Sequence, residues 1–213
     1  MTTVQKLQVK ADNEALIKQQ GYRINDWLPI PNGSAQRKIQ EIKGRMGVMT
    51  ALLNIAFGAP THIIRKWIDA NGLGSHLSNS ESALLSKKNS ELTDSEVNSL
   101  EWYLEALWSF MWLTGVIESL NPTEYVGDNM ASLLPSLKNG ESNEKLERLE
   151  AARPVSTAYK MLDYYYRLHW FCVDERLKGG EAKLNEGVVY QRRKSLEWAC
   201  DPTADWDEVE MGT

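Results

Sequence analysis

Residues 93–120 read TDSEVNSLEWYLEALWSFMWLTGVIESL, and the reading of this stretch decides the fold. Thr93 and Glu96 form a capping box, in which a Thr side chain and an acid three residues on satisfy free backbone N–H groups at a helix start. Leu100, Leu104, Leu107, Met111 and Gly115 then recur at helical spacing, and Trp102, Trp112 and Val116 lie on another side. A helix apolar nearly all round is a buried one. The stretch therefore reads as a single Trp-rich central helix that ends near Asn121-Pro122, with the rest of the chain packed around it.

Helical signals recur on both sides, and no sustained period-two run or flanked hairpin turn marks a strand. A first helix is read over about Val4 to Gln20, stopped by Gly21. The breakers Pro29, Pro31 and Gly33 make "YRINDWLPIPNGS" a loop. Ser34 is then taken as the cap of a helix carrying Ile39, Ile42, Met46, Met49, Leu52, Leu53 and Ala56 on one face. "RKIQEIKGR" (37–45) is basic with acids interleaved, and reads as a solvated helix face. A short helix covers "THIIRKWIDANGLG", and Ser78 with Glu81 forms another capping box. A further short helix is read near Asp128 to Leu134. Pro154 suits the first turn of a helix running to Leu177, and a last long helix runs from about Gly187 to Cys200, followed by an acidic, irregular tail. The expectation is an all-α, single-domain, irregular helical bundle of about seven to nine helices. Residues 1–90 supply the N-terminal helices, and 91–213 the central and C-terminal ones.

With 213 residues, 42% hydrophobic and 25% charged, the chain can bury a core without disulfides or metals. A net charge of -5 argues against a nucleic-acid or anionic-membrane ligand, which need a basic face. It is compatible with a basic protein partner. Cys172 and Cys200 sit on apolar helix positions outside any metal spacing, and read as reduced core thiols. No apolar segment near the N-terminus suggests a signal peptide, and the apolar run around Leu104 to Ile117 is too short to span a bilayer. A cytoplasmic location is expected.

Two places could carry chemistry. Residues 163–177, DYYYRLHWFCVDERL, divide on a helical wheel into a broad apolar face holding Tyr165, Tyr166, His169 and Cys172 and a flank with Asp163, Arg167 and Asp174. Asp163 and Arg167 have the favourable acid-first spacing of a helix pair, and Trp170 lies between face and flank. Glu105 is set among Trp102, Leu104, Trp108 and Trp112, where a carboxylate must find a cation or titrate to neutral. Arg192 and Arg193 fall on inward stripes of the last helix. A buried carboxylate–guanidinium contact is therefore expected between Glu105 or Asp163 and Arg193, Arg192 or Arg167. The candidate catalytic residues are Glu105 and His169. The candidate binding residues are Tyr166, Arg167, Trp170, Arg192, Arg193 and Trp206. No Walker loop, dinucleotide fingerprint, HExxH, GxSxG or kinase set occurs. His62, His76 and His169 fall in separate elements, so neither metal nor cofactor is expected.

The pattern W-x2-EALW at Trp102–Trp108, Asn121-Pro122, YYYRLHW at Tyr164–Trp170, LNEGVVYQRRKSLEW at Leu184–Trp198 and WDEVEMGT at Trp206–Thr213 resembles the bacterial DUF4272 family. "WLP" at Trp27–Pro29 fits it too. The resemblance implies a mostly helical cytosolic protein and no particular activity. It raises Arg167, His169, Trp170, Arg192, Arg193, Trp198, Trp206 and Asp207 as motif positions. The ending Met211-Gly212-Thr213 departs from the family's usual acid and threonine.

Charge, size and missing catalytic signatures favour a protein-binding module, of the kind that neutralises a basic bacterial toxin as an immunity protein does. The alternative is an enzyme whose pocket lies between the central and C-terminal helices, with Tyr166, His169, Glu105 and Arg193 as its polar groups. A structural helical subunit is a third reading, for which exposed tryptophans such as Trp67 or Trp206 would serve as contact points.

Overall fold

The computed structural model describes residues 1–33 and 35–212, and among these every regular element is helical. In chain order they are α1 (Thr3–Gln19), α2 (Ile39–Ala56), α3 (Thr61–Ala70), α4 (Asn79–Leu85), α5 (Asp94–Glu101), α6 (Tyr103–Leu113), α7 (Met130–Leu133), α8 (Glu144–Glu147), α9 (Val155–Leu177) and α10 (Glu186–Cys200), with three short 3-10 turns between them. The all-α expectation holds.

The central helix is shorter than its apolar run. It divides at Trp102 into α5 and α6, and it stops at Leu113 because Gly115 takes a positive φ of 75°. Gly115 N–H bonds to Trp112 O at 3.1 Å and Val116 N–H to Met111 O at 2.9 Å, the paired closure that a left-handed glycine allows at a helix end. The residue read as part of an apolar stripe is therefore the terminator. Ser34 lies outside the described residues. The second helix begins later than expected, at Ile39, because the backbone is still extended at Lys38 (φ -64°, ψ 150°), which serves as its N-cap; the N–H of Arg37 just before it bonds Ala199 O on α10 at 2.9 Å. The capping boxes at Ser78/Glu81 and Thr93/Glu96 both form.

Two apolar clusters make the core. The larger collects Ile42, Met46 and Met49 of α2 with Leu107, Phe110 and Met111 of α6, Leu162 and Tyr165 of α9 and Leu196 of α10. The smaller holds Val48, Leu52 and Ile55 of α2 against Ile64, Ile68, Leu84 and Leu100. Helix α2 thus buries two faces rather than the one its periodicity suggested. Helices α6, α9 and α10 pack side by side, α1 lies along α9, and the tail after Cys200 runs back over this layer. Among the described residues no helix is long and apolar enough to cross a membrane.

Candidate functional site

Helix α9 carries eight of its middle residues buried in succession, Leu162 to His169, so its polar side chains must find partners inside the protein. They divide among separate clusters. In the first, Arg167 forks onto Asp163, Nε to Oδ2 at 2.9 Å and Nη2 to Oδ1 at 2.8 Å. Arg167 Nη1 reaches Glu14 of α1 at 2.9 Å, and Asn13 Nδ2 donates to Asp163 Oδ2 at 2.9 Å. This cluster fastens α1 to α9.

The second cluster joins three elements. Arg192 of α10 donates through Nε to Glu105 Oε2 at 2.8 Å, with Nη2 2.7 Å from the same oxygen. Its Nη1 bonds Asn121 O at 2.6 Å and Tyr165 Oη at 3.1 Å, and its Nη2 bonds Glu124 O at 2.8 Å. Burial pushes the Glu105 carboxyl up, opposed by Arg192. The expected inward arginine and its carboxylate are both here, and the contact stitches α6 to α10 and to the Asn121-Pro122 turn.

Arg193 organises a third cluster. Its Nη1 donates to His169 Nδ1 at 2.7 Å, its Nε to Glu197 Oε1 at 3.2 Å, and its guanidinium lies 4.6 Å above the Tyr166 ring. The tail closes over it: Nη1 bonds Met211 O at 3.1 Å and Nη2 bonds Gly212 O at 3.0 Å. Burial, then the Arg193 charge, lowers His169 to about 4. The ring is neutral near pH 7, with Nδ1 an acceptor and its face edge-on to Tyr190, 5.4 Å between centroids. A histidine so held has no free Nδ1 lone pair for proton abstraction.

Above Arg193 opens a cleft of about 330 Å³. Pro29, Pro31 and Gly33 of the 22–33 loop wall one side and Val209, Glu210 and Gly212 of the tail the other, with Tyr166, Arg193, Glu197 and Asp201 between them. Glu210 adds a third carboxylate. Burial and the neighbouring charges of Asp201 and Glu210 raise Glu197, against the pull of Arg193. No residue of α6 lines the cleft. The structure therefore brings Tyr166, His169 and Arg193 together and sets Glu105 apart, in the closed α6–α10 seam where Ser195 Oγ donates to Ala106 O at 3.2 Å. Trp170, half-buried, packs at the edge of the larger core cluster and takes no part in the cleft.

Trp206 is not an exposed contact point. It is 5% exposed, seated against Trp198, Phe110 and Tyr103 at centroid distances of 6.1, 6.3 and 6.3 Å, with the Arg45 guanidinium 4.4 Å from its ring. Trp67 is half-buried, its Nε1 donating to Glu141 O at 2.9 Å. The tail is irregular in backbone but anchored in the core by this one aromatic.

Two features escaped the sequence reading. Arg45, assigned to a solvated face, is buried and forks onto Glu81 at 2.6 Å through each Nη, and Tyr103 Oη donates to the same carboxylate at 2.6 Å. Glu81 was visible only as a capping residue. Trp27, noted as part of a motif, is 93% exposed. Its loop is nonetheless pinned on both sides. Lys10 Nζ donates to Asp26 O at 2.8 Å and Leu28 O at 2.7 Å, and Tyr159 Oη to Pro31 O at 2.9 Å. Among the described residues no group of three or more His, Cys, Asp or Glu is placed to hold a metal ion. Cys172 and Cys200 are free, buried thiols pushed up to about 12 by burial, and so are poor nucleophiles.

Fold and clusters define an all-helical protein whose α9 and α10 arginines serve as internal fasteners beside one acidic cleft. The family described as Domain of unknown function (DUF4272) matches residues 9–209, nearly the whole chain, and the chain belongs to that family. No curated protein and no solved structure matches it.

Proposed function

We propose that this chain is a cytoplasmic bacterial protein-binding module that holds a basic protein partner, in the manner of an immunity protein neutralising a toxin. The observation that carries the reading is Trp27. A tryptophan 93% exposed on a loop held by three hydrogen bonds from Lys10 and Tyr159 is a preordered apolar anchor. Such anchors supply much of the free energy of protein–protein binding and lose little entropy on contact. Two residues further on, the same loop becomes the wall of a cleft carrying Glu197, Asp201 and Glu210, with prolines and the Tyr166 ring beside them. A lysine or arginine of the partner finds charge and an apolar wall there, and the chain's net charge of -5 steers it inward.

Binding is preferred to catalysis because the polar groups nearest the cleft are engaged with one another. Arg193 uses its donors on His169, Glu197 and the tail, and His169 gives Nδ1 to Arg193. The test is affinity capture from cells that produce the protein, with wild type and Trp27→Ala side by side. The expected result is one stoichiometric basic protein held by the wild type, weakened at least about 30-fold by Trp27→Ala, whose toxicity on expression is relieved by the wild-type chain. Capture of no stoichiometric protein, or equal capture by both forms, overturns the reading.

A further inference from the structure

Arg193 is covered by the tail of its own chain. Arg193 is 2% exposed, and its guanidinium is oriented from within by His169 at 2.7 Å, Glu197 at 3.2 Å and the Tyr166 ring at 4.6 Å. The rest of its fork points at two successive main-chain carbonyls, Met211 O at 3.1 Å and Gly212 O at 3.0 Å. These contacts involve no side chain of the tail, so another peptide segment can present the same pair of acceptors.

The occupant is lightly held. Trp206 is locked in the core, and Asp207 accepts from Ser80 N at 2.8 Å and Ser80 Oγ at 2.6 Å. Beyond Asp207 the backbone has no regular structure, and Glu208, Glu210 and Gly212 are exposed. Hydrogen bonds to Arg193 and the partial burial of Val209 and Met211 are what the structure shows holding this end. A segment with no regular backbone and so few contacts among the described residues opens locally without disturbing the core. When it opens, Arg193 faces the 330 Å³ cleft with the two donors that had served the tail, one on Nη1 and one on Nη2, released, while Nη1 keeps its bond to His169.

We propose that the Arg193 end of the cleft is a binding site for peptide main chain, that residues 209–212 are its built-in occupant, and that an incoming segment of a partner displaces them. That the incoming segment comes from a protein partner rests on the reading above; the receptor and its exchangeable occupant do not. The tail then sets a threshold. A competitor must exceed the effective concentration of a tethered segment, which is in the millimolar range for a short link, or gain affinity elsewhere, as an anchor on Trp27 would allow. The acidic rim selects among competitors for those with a basic side chain.

The experiment uses the isotope-labelled full chain and an acetylated peptide with the sequence of residues 209–213, titrated to about 10 mM, above that tethered concentration. The Gly212 amide signal moves toward its free-peptide position as the peptide saturates, the Arg193 Nε–Hε signal shifts with it, and the Trp206 indole signal stays in place. Arg193→Lys, checked for folding by the same indole signal, weakens the peptide at least about tenfold because a point charge replaces a fork. Should that variant unfold, cleavage of the wild-type chain after Glu210 by a glutamyl endopeptidase supplies the second readout, and it accelerates with added peptide. Gly212 and Arg193 signals unmoved at that concentration, or a tail that leaves only together with Trp206, overturn the proposal. Failure of the partner reading shows separately, in capture that ignores Trp27.

Discussion

Arg192 donates to Glu105 across the α6–α10 seam at 2.8 Å, with the two side chains 0% and 5% exposed. A guanidinium and a carboxylate that have both left water depend on each other, and the hydrogen bonds from Arg192 to Asn121 O, Glu124 O and Tyr165 Oη extend that dependence to the turn after α6. Removing one partner strands the other. Arg192→Met is expected to lower stability by about 3–5 kcal/mol. Adding Glu105→Gln to it costs less than the sum of the single changes, with a coupling of at least about 1 kcal/mol. Denaturant unfolding of the four proteins of the cycle reads both quantities.

His169 gives the protein an acid-sensitive element. Its folded value is about 4 against an ordinary 6.5, so the unfolded chain takes up a proton that the folded chain refuses. The stability attached to the buried neutral ring is complete above about pH 6.5. It is lost as the pH falls toward 4, up to about 3 kcal/mol from this group. Glu105 and Glu197 act in the opposite sense: burial raises both, and their contribution falls as the pH rises through the raised values. His169→Gln, whose amide oxygen can still accept from Arg193, isolates the histidine. Unfolding free energies of the two proteins are expected to converge near pH 4 and to separate, in favour of the wild type, up to pH 6.5.

Gly187, in the first turn of α10, faces the Trp102 ring so closely that an added Cβ would lie 2.3 Å from it. Helix propensity alone makes Gly→Ala stabilising by up to about 1 kcal/mol. The contact reverses the sign: Gly187→Ala is expected to destabilise by about 1–3 kcal/mol, with Trp102→Leu in the same chain relieving part of the loss. Thermal melts of the single and double variants decide it.

Trp27 separates stability from binding. At 93% exposure its removal leaves the unfolding free energy within about 0.5 kcal/mol of wild type. In the proposed complex, the same Trp27→Ala change is expected to remove at least about 2 kcal/mol of binding free energy. Calorimetry of the captured complex beside a denaturant curve of the free protein measures both.

How much of this was legible depended on whether a residue sits where periodicity speaks. Asp163 and Arg167 announce their pair by spacing alone. Glu105 announces its need for a cation because the residues around it are tryptophans and leucines, and Arg192 was one of few candidates to meet it. Arg45 was misread because α2 is buried on two faces, which erases the apolar–polar contrast that a wheel relies on. Its partner Glu81 is 36 residues away, a separation no local pattern bridges. Trp206 and Trp27 lie in irregular segments, where nothing local distinguishes an anchor in the core from one in water. The tail that ends on Arg193 was legible only as acidic and irregular. Its contacts are made by backbone carbonyls, which every residue possesses.

The most direct test of the docking account is amide hydrogen exchange of the chain with and without its captured partner. The account predicts that added protection concentrates in residues 22–33 and at the C-terminal end of α10, with residues 209–212 changing alongside them. Protection centred elsewhere, for example on the apolar groove beside Phe57 and Leu134, with the Trp27 loop unchanged, would contradict it.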